Sequence, residues 1–189
     1  MKAVLRHLPN MLTGLRLAAA PATAGLLALG HFNVAFGVFA AAGLSDAVDG
    51  YLAKRFGLTT RLGRILDPAA DKALMLAAFV TLALKGDIPA WVAALVVGRD
   101  VGIVLGLLIA IVARAPIVVQ PLLLGKLTTL VQVTYVGMHL ASLAFGFSLR
   151  SLTPSDAYVV AVATCVSAAA YATVWANAMR ARRRGGAPD

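Results

Sequence analysis

Asp46, Asp49, Asp67 and Asp71 make up half of the eight acidic residues in a chain of 189 that contains no glutamate. They follow one another at spacings of 3, 18 and 4 residues, in a chain that is 60% hydrophobic. Spacings of three and four put each pair on one helix face. Four ionised carboxylates in one patch repel one another unless cations neutralise them. Separate ion pairs with Lys54, Arg55, Arg61 and Lys72 would do so, and a proton relay in a transporter is a second use, although a relay needs no cluster of four. A pair of divalent ions fits better. Hard oxygen ligands suit Mg²⁺ or Mn²⁺, whose combined charge balances the four aspartates. Two such ions beside a basic loop suit transfer of a phosphorus group, because they clamp phosphate oxygens and favour ionisation of an attacking hydroxyl. Gly50 and Gly63 would let a nucleotide come close to the backbone. Lys54 would lie against a pyrophosphate as a compact charge.

The elements that must position these residues are apolar helices. Only 13% of the residues are charged and the mean hydropathy is +0.85, against about a quarter charged in soluble domains. A span needs about 20 apolar residues, and six segments supply that length: 8–29, 33–53, 66–84, 89–113, 126–147 and 154–179. The expected fold is therefore all-α, a polytopic membrane protein of six transmembrane helices over residues 1–179 with a basic tail at 180–189. Gly30 to Asn33 and Gly86 to Pro89 read as tight connections. The first apolar run lacks a small-residue cleavage pattern, so it is expected to be retained as a helix.

Net charge is +9, but its placement points away from nucleic acid. Lys2, Arg6, Lys54, Arg55, Arg61, Arg64, Arg114, Lys126, Arg180, Arg182, Arg183 and Arg184 fall on one side of a six-span arrangement; Lys85 and Arg150 fall on the other. Cytoplasmic loops carry the excess of basic residues, which puts both termini and the aspartates on the cytoplasmic side of a cell (inner) membrane. Cys165, the only cysteine, makes neither an intramolecular disulfide nor a zinc site. His7, His31 and His139 have no metal-ligand spacing. Trp91, Tyr158, Tyr171 and Trp175 read as interfacial anchors, and the arginine tail as a contact with anionic lipid.

The stretch from Asp46 runs Asp46-x-x-Asp49-Gly50-x-x-Ala53-Lys54, eight residues, then Gly63-x-x-x-Asp67-x-x-x-Asp71. It resembles the signature of the CDP-alcohol phosphotransferases, D-x-x-D-G-x-x-A-R-(x8)-G-x-x-x-D-x-x-x-D, at seven of eight fixed positions. The departure is Lys54 for the family arginine, with Arg55 directly after it. The resemblance implies six helices and two Mg²⁺ or Mn²⁺ ions held by Asp46, Asp49, Asp67 and Asp71. It makes Asp71 also the general base for the acceptor hydroxyl. It implies a CDP site made by Asp46, Gly50, Ala53, Lys54, Arg55, Gly63 and Asp67, a homodimer, and transfer from CDP-diacylglycerol with loss of CMP. Outside the signature, 31–50, "VVGRDVGIV" (96–104) and "GKLTTLVQ" (125–132) resemble the mitochondrial type of cardiolipin synthase. The expected acceptor is therefore phosphatidylglycerol, with glycerol 3-phosphate, as in phosphatidylglycerophosphate synthases, the alternative. A cation transporter using the aspartates as a pathway is the rival of another class. Arg16, Arg99 and Lys126 are the candidate contacts to the acceptor. Arg16 reads otherwise as a snorkelling anchor, and Asp100 is expected to orient a basic group, though adjacency to Arg99 argues against a simple pair with it.

Overall fold

A computed structural model describes residues 2–56, 63–112, 123–148 and 155–185, without the side chains of 2–13, 46–56, 63–68, 110, 111, 178 and 181–185. Among the described residues there are six α-helices and no strand: α1 Lys2–Ala28, α2 Phe32–Phe56, α3 Gly63–Lys85, α4 Ala90–Val112, α5 Leu123–Phe145 and α6 Ser155–Gly185. Each coincides with one expected segment. The ends differ most at α1, which begins six residues earlier than the apolar run, and at α6, which carries its helix through the arginines to Gly185.

α1 and α3 end by the same device. Gly30 and Gly86 both take φ of +80°, a left-handed conformation that costs other residues about 1–2 kcal/mol. The amide of His31 donates to the carbonyl of Leu26 at 2.8 Å, and that of Gly30 to Leu27 at 3.1 Å. Asp87 donates to Leu82 at 3.0 Å and Gly86 to Ala83 at 3.1 Å. These paired bonds are the Schellman motif, which satisfies carbonyls orphaned at a helix end. A Cβ at Gly86 would meet nothing within 4 Å, so its substitution costs backbone strain alone. Gly86→Ala is expected to lower the detergent melting temperature by about 2–4 °C, as a loss near 1 kcal/mol does in a protein of this size; differential scanning fluorimetry checks this.

The chain forms two compact units, Met1–Ala90 with Val136–Ser151, and Trp91–Tyr135 with Leu152–Asp189. In the first, α1 packs along α3 and α2. Its core is rich in small residues, Ala19, Ala20, Ala35, Ala42, Ala70 and Ala78, filled in by Leu27, Phe39, Phe79 and Leu82. Small side chains let helix backbones approach closely.

The second unit keeps its polar groups inside and its large apolar ones outside. Thr128, Gln132, Thr164 and Ser167 are buried, whereas Val104, Leu105, Leu108, Ile109, Leu127, Leu130, Val159 and Val162 are exposed. The amide of Gln132 donates to Thr164 Oγ1 at 3.1 Å, and Thr128 Oγ1 donates to the Ala163 carbonyl at 3.0 Å. Water as solvent would reverse this arrangement. Lipid favours it, since hydrocarbon satisfies no polar group and repels no leucine.

Six spans were expected. Among the described residues, three helices are long and apolar enough to cross a membrane: Ala90–Ile109, Leu123–Phe145 and Ser155–Asn177, with mean hydropathies of 2.2, 1.2 and 1.8. The apolar stretches Gly14–Ala28 and Phe32–Ser45 are shorter. Both stretches end where the described side chains end, at 14 in α1 and at 45 in α2.

Candidate active site

α2 carries Asp46 and Asp49 in its C-terminal half, and α3 carries Asp67 and Asp71 from its second turn. Both pairs therefore lie on helix backbone, near the ends that the 57–62 segment connects. Rigid elements suit a ligand set, because helical backbone fixes Cβ directions better than a loop does. Asp71 is the one of the four whose side chain is described. The side chains of Asp46, Asp49, Gly50, Ala53, Lys54, Arg55, Gly63 and Asp67 lie outside the described residues. Among the described residues no three His, Cys, Asp or Glu side chains converge on a metal position, as follows when three of the four aspartates fall outside them.

Asp71 meets Arg16. The guanidinium donates from Nη1 to Asp71 Oδ1 at 3.2 Å, linking α1 to α3 across 55 residues of sequence. The arginine side chain is 2% exposed and the aspartate 43%. A snorkelling anchor would hold its charged head in water, so burial removes that reading of Arg16. Beside the pair runs a groove of ≈ 300 Å³ between α1 and α2, lined by Leu15, Arg16, Ala19, Val38, Ala42 and Ser45 among others. Its walls are almost entirely aliphatic, and the guanidinium is its one cation. An acyl chain fits such a surface; a small polar solute does not.

Arg99 is held within the second unit. Its Nη1 donates to Asp100 Oδ1 at 2.6 Å and its Nη2 to Ser167 Oγ at 2.7 Å. Its guanidinium carbon lies 5.6 Å from the centre of the Tyr171 ring, within reach of a cation–π contact. The expectation that neighbouring residues would diverge fails here. The arginine stem is long enough to bend round the helix to the next side chain, so Asp100 does orient a basic group, and that group is Arg99. A Cβ at Gly125 would stand 3.0 Å from the Tyr171 hydroxyl and 3.6 Å from Arg99 Nη2; glycine there lets α5 approach this cluster. Ser167 and Tyr171 carried no sequence signal for the role, Ser167 lying in a run of alanines and Tyr171 reading as an anchor. Trp91 and Tyr158 keep the anchor reading, both exposed with ring centres 5.8 Å apart. Tyr171 and Trp175 instead face each other at 6.2 Å and, with Arg99, line a groove of ≈ 390 Å³ between α4 and α6. Lys126 is exposed in the first turn of α5.

The chain that carries this carboxylate series has counterparts among known proteins. The family model for CDP-alcohol phosphatidyltransferases matches residues 6–179. The chain belongs to that family. The match takes in all six helices except the extreme ends of α1 and α6, and it makes the protein an enzyme of phosphatidyl transfer. Among the relatives, one from Mycobacterium tuberculosis (strain ATCC 25618 / H37Rv), named "Probable phosphatidylglycerophosphate synthase", is 37% identical over 151 residues, covering 76% of this chain and 70% of the relative. The cardiolipin synthase (CMP-forming) of Homo sapiens is 31% identical over 157 residues, covering 75% of this chain and 52% of that protein. The family thus joins two kinds of synthase, and both appear among the relatives of this member.

Proposed function

We propose that this family member transfers the phosphatidyl group of CDP-diacylglycerol to phosphatidylglycerol, forming cardiolipin and releasing CMP. The observation that carries the choice of acceptor is the aliphatic groove between α1 and α2, which is lined by Arg16, the partner of Asp71. Phosphatidylglycerol brings two acyl chains and must approach from within the bilayer, so it needs an apolar lateral entry to the base. Asp71 takes the proton of the acceptor hydroxyl as its oxygen attacks the phosphorus that bears diacylglycerol. The bond from that phosphorus to the CMP oxygen breaks, and CMP leaves with the electron pair.

Asp46, Asp49, Asp67 and Asp71 suit two Mg²⁺ or Mn²⁺ ions as an all-carboxylate donor set on two helices. When bound, such ions neutralise charge on the phosphate oxygens and stabilise the leaving group. Gly50, Ala53 and Gly63 form the floor of the cytidine site in this reading, while Lys54, with Arg55 beside it, meets the pyrophosphate. Lys126 is placed to meet a lipid phosphate. Arg99 is satisfied by Asp100, Ser167 and Tyr171, and its part is the tie between α4 and α6. All six helices cross the inner membrane, both termini and the aspartates facing the cytoplasm, and the enzyme works as a homodimer. The charge asymmetry and the outward-facing apolar residues support this disposition.

The 37% identity to the mycobacterial relative favours a second reading, with glycerol 3-phosphate as acceptor. Purified protein given labelled CDP-diacylglycerol and Mg²⁺ separates the two. Cardiolipin is expected with phosphatidylglycerol, and little product with glycerol 3-phosphate. Dominant phosphatidylglycerophosphate would reverse the acceptor assignment and leave the reaction class standing. Cation flux through proteoliposomes without release of CMP would instead favour the transporter.

A further inference from the structure

Resting on the assignment of Asp71 as the base, we infer that Arg16 is a positioning residue: it holds the Asp71 carboxylate in one orientation from the neighbouring helix. The donor lies 3.2 Å from Oδ1. In an aspartate that is 43% exposed, polar contacts weigh more than packing in choosing among the three staggered χ1 wells. Arg16, at 2% exposure, has little such freedom. It emerges from α1 just before the buried Ala19 and Ala20, and Asp71 directly follows the buried Ala70 of α3. The two backbones that carry the pair are therefore fixed by packing of the first unit. A cation in an apolar segment is costly and is kept where a specific partner holds it. The planar fork of arginine fixes direction as well as charge, which lysine does not. Sequence reasoning offered Arg16 a phosphate; the geometry gives it the one described carboxylate of the signature. Because Arg16 also lines the aliphatic groove, contact with the acceptor is the competing role, and kinetics distinguish them.

The test uses the full-length protein with Arg16→Gln and Arg16→Lys. A misdirected base should lower kcat for Arg16→Gln by about 100-fold, as small displacements of a reacting group do. The KM values for CDP-diacylglycerol and for phosphatidylglycerol should stay within about threefold at saturating metal, because ground-state binding is untouched and only stabilisation made in the transition state is lost. Arg16→Lys, which restores the charge without the fork, should recover only part of the loss, leaving kcat about 3–10-fold below wild type. Calorimetric titration of the substrate-free protein with Mn²⁺ should show binding retained but weakened by about 10–100-fold, because Asp71 is itself a ligand in this reading, a second readout that does not depend on turnover. A raised KM for phosphatidylglycerol at unchanged kcat would make Arg16 an acceptor contact and overturn the inference. Loss of Mn²⁺ binding alongside kcat would also overturn it, by showing that the site had come apart. Should Arg16→Gln fail to fold, Arg16→Lys carries the test, and an unchanged kcat in that variant decides against the role. Wild-type protein that releases no CMP would remove the underlying assignment as well; wild-type release with a normal Arg16→Gln kcat removes only this one.

Discussion

Asp71→Asn is expected to lower kcat by about 10³-fold, within the range attributed to a positioned general base, while the KM for CDP-diacylglycerol changes little. The amide is nearly isosteric and keeps an oxygen that can accept from Arg16 Nη1, now 3.2 Å from Oδ1. It cannot take a proton from the acceptor hydroxyl. Stability separates chemistry from structure in the same experiment. Asp71→Asn should cost about 1 kcal/mol, the net value of one hydrogen bond weakened. Asp71→Ala removes this acceptor from a guanidinium that is 2% exposed and should cost up to about 3 kcal/mol, below the range for fully buried pairs because the carboxylate is half-exposed. CMP release under saturating substrates measures the first effect and thermal unfolding in detergent the second. Near-normal turnover in Asp71→Asn would remove the base assignment whatever the melting curves show.

Chelation should abolish CMP release altogether, and Mg²⁺ or Mn²⁺ should restore it, whereas Ca²⁺ should restore it poorly because its larger shell fits a compact carboxylate set badly. Asp46→Asn then tests the ligand assignment residue by residue. It should raise the metal concentration for half-maximal activity by about 10–100-fold, the scale on which metal sites respond to altered surroundings. It should also raise the KM for CDP-diacylglycerol, since metal and pyrophosphate are bound together in this reading. A metal requirement unchanged in Asp46→Asn, with full activity retained in chelator, would falsify the carboxylate–metal reading and revive the separate ion pairs to Lys54, Arg55, Arg61 and Lys72.

The helices were legible because hydrocarbon is an undemanding solvent: long apolar runs become helices whatever their neighbours are. The two glycine-closed ends were legible for a local reason, as a left-handed residue is needed where a helix stops and the chain turns back. Of the six expected spans, the described residues show three that are long and apolar enough to cross a membrane. The Arg16–Asp71 pair could not be read at all, because its members are 55 residues apart and no periodicity connects them. For Arg99 and Asp100 a helix-surface rule misled. Side chains at i and i+1 do diverge at Cβ, but a guanidinium reaches several bonds further, and Ser167 and Tyr171 supply the other sides of its pocket. The signature spoke for Asp46, Asp49 and Asp67 by residue type and spacing alone.

The burial of Arg16 sets a timetable for biosynthesis. The arginine on α1 leaves the ribosome 55 residues ahead of its carboxylate partner on α3. At translation rates of 5–20 residues per second this is a delay of roughly 3–11 s. During that interval an arginine near the middle of a nascent segment costs about 2.5–3.5 kcal/mol on translocon scales. If α1 and α3 cross the membrane as proposed, α1 alone is a poor candidate for release into lipid, and waiting at the insertion machinery until α3 arrives would let the two helices enter as a neutralised pair. In that disposition a residue read first as part of the reaction centre would also couple the order of membrane insertion to the order of the helices along the chain.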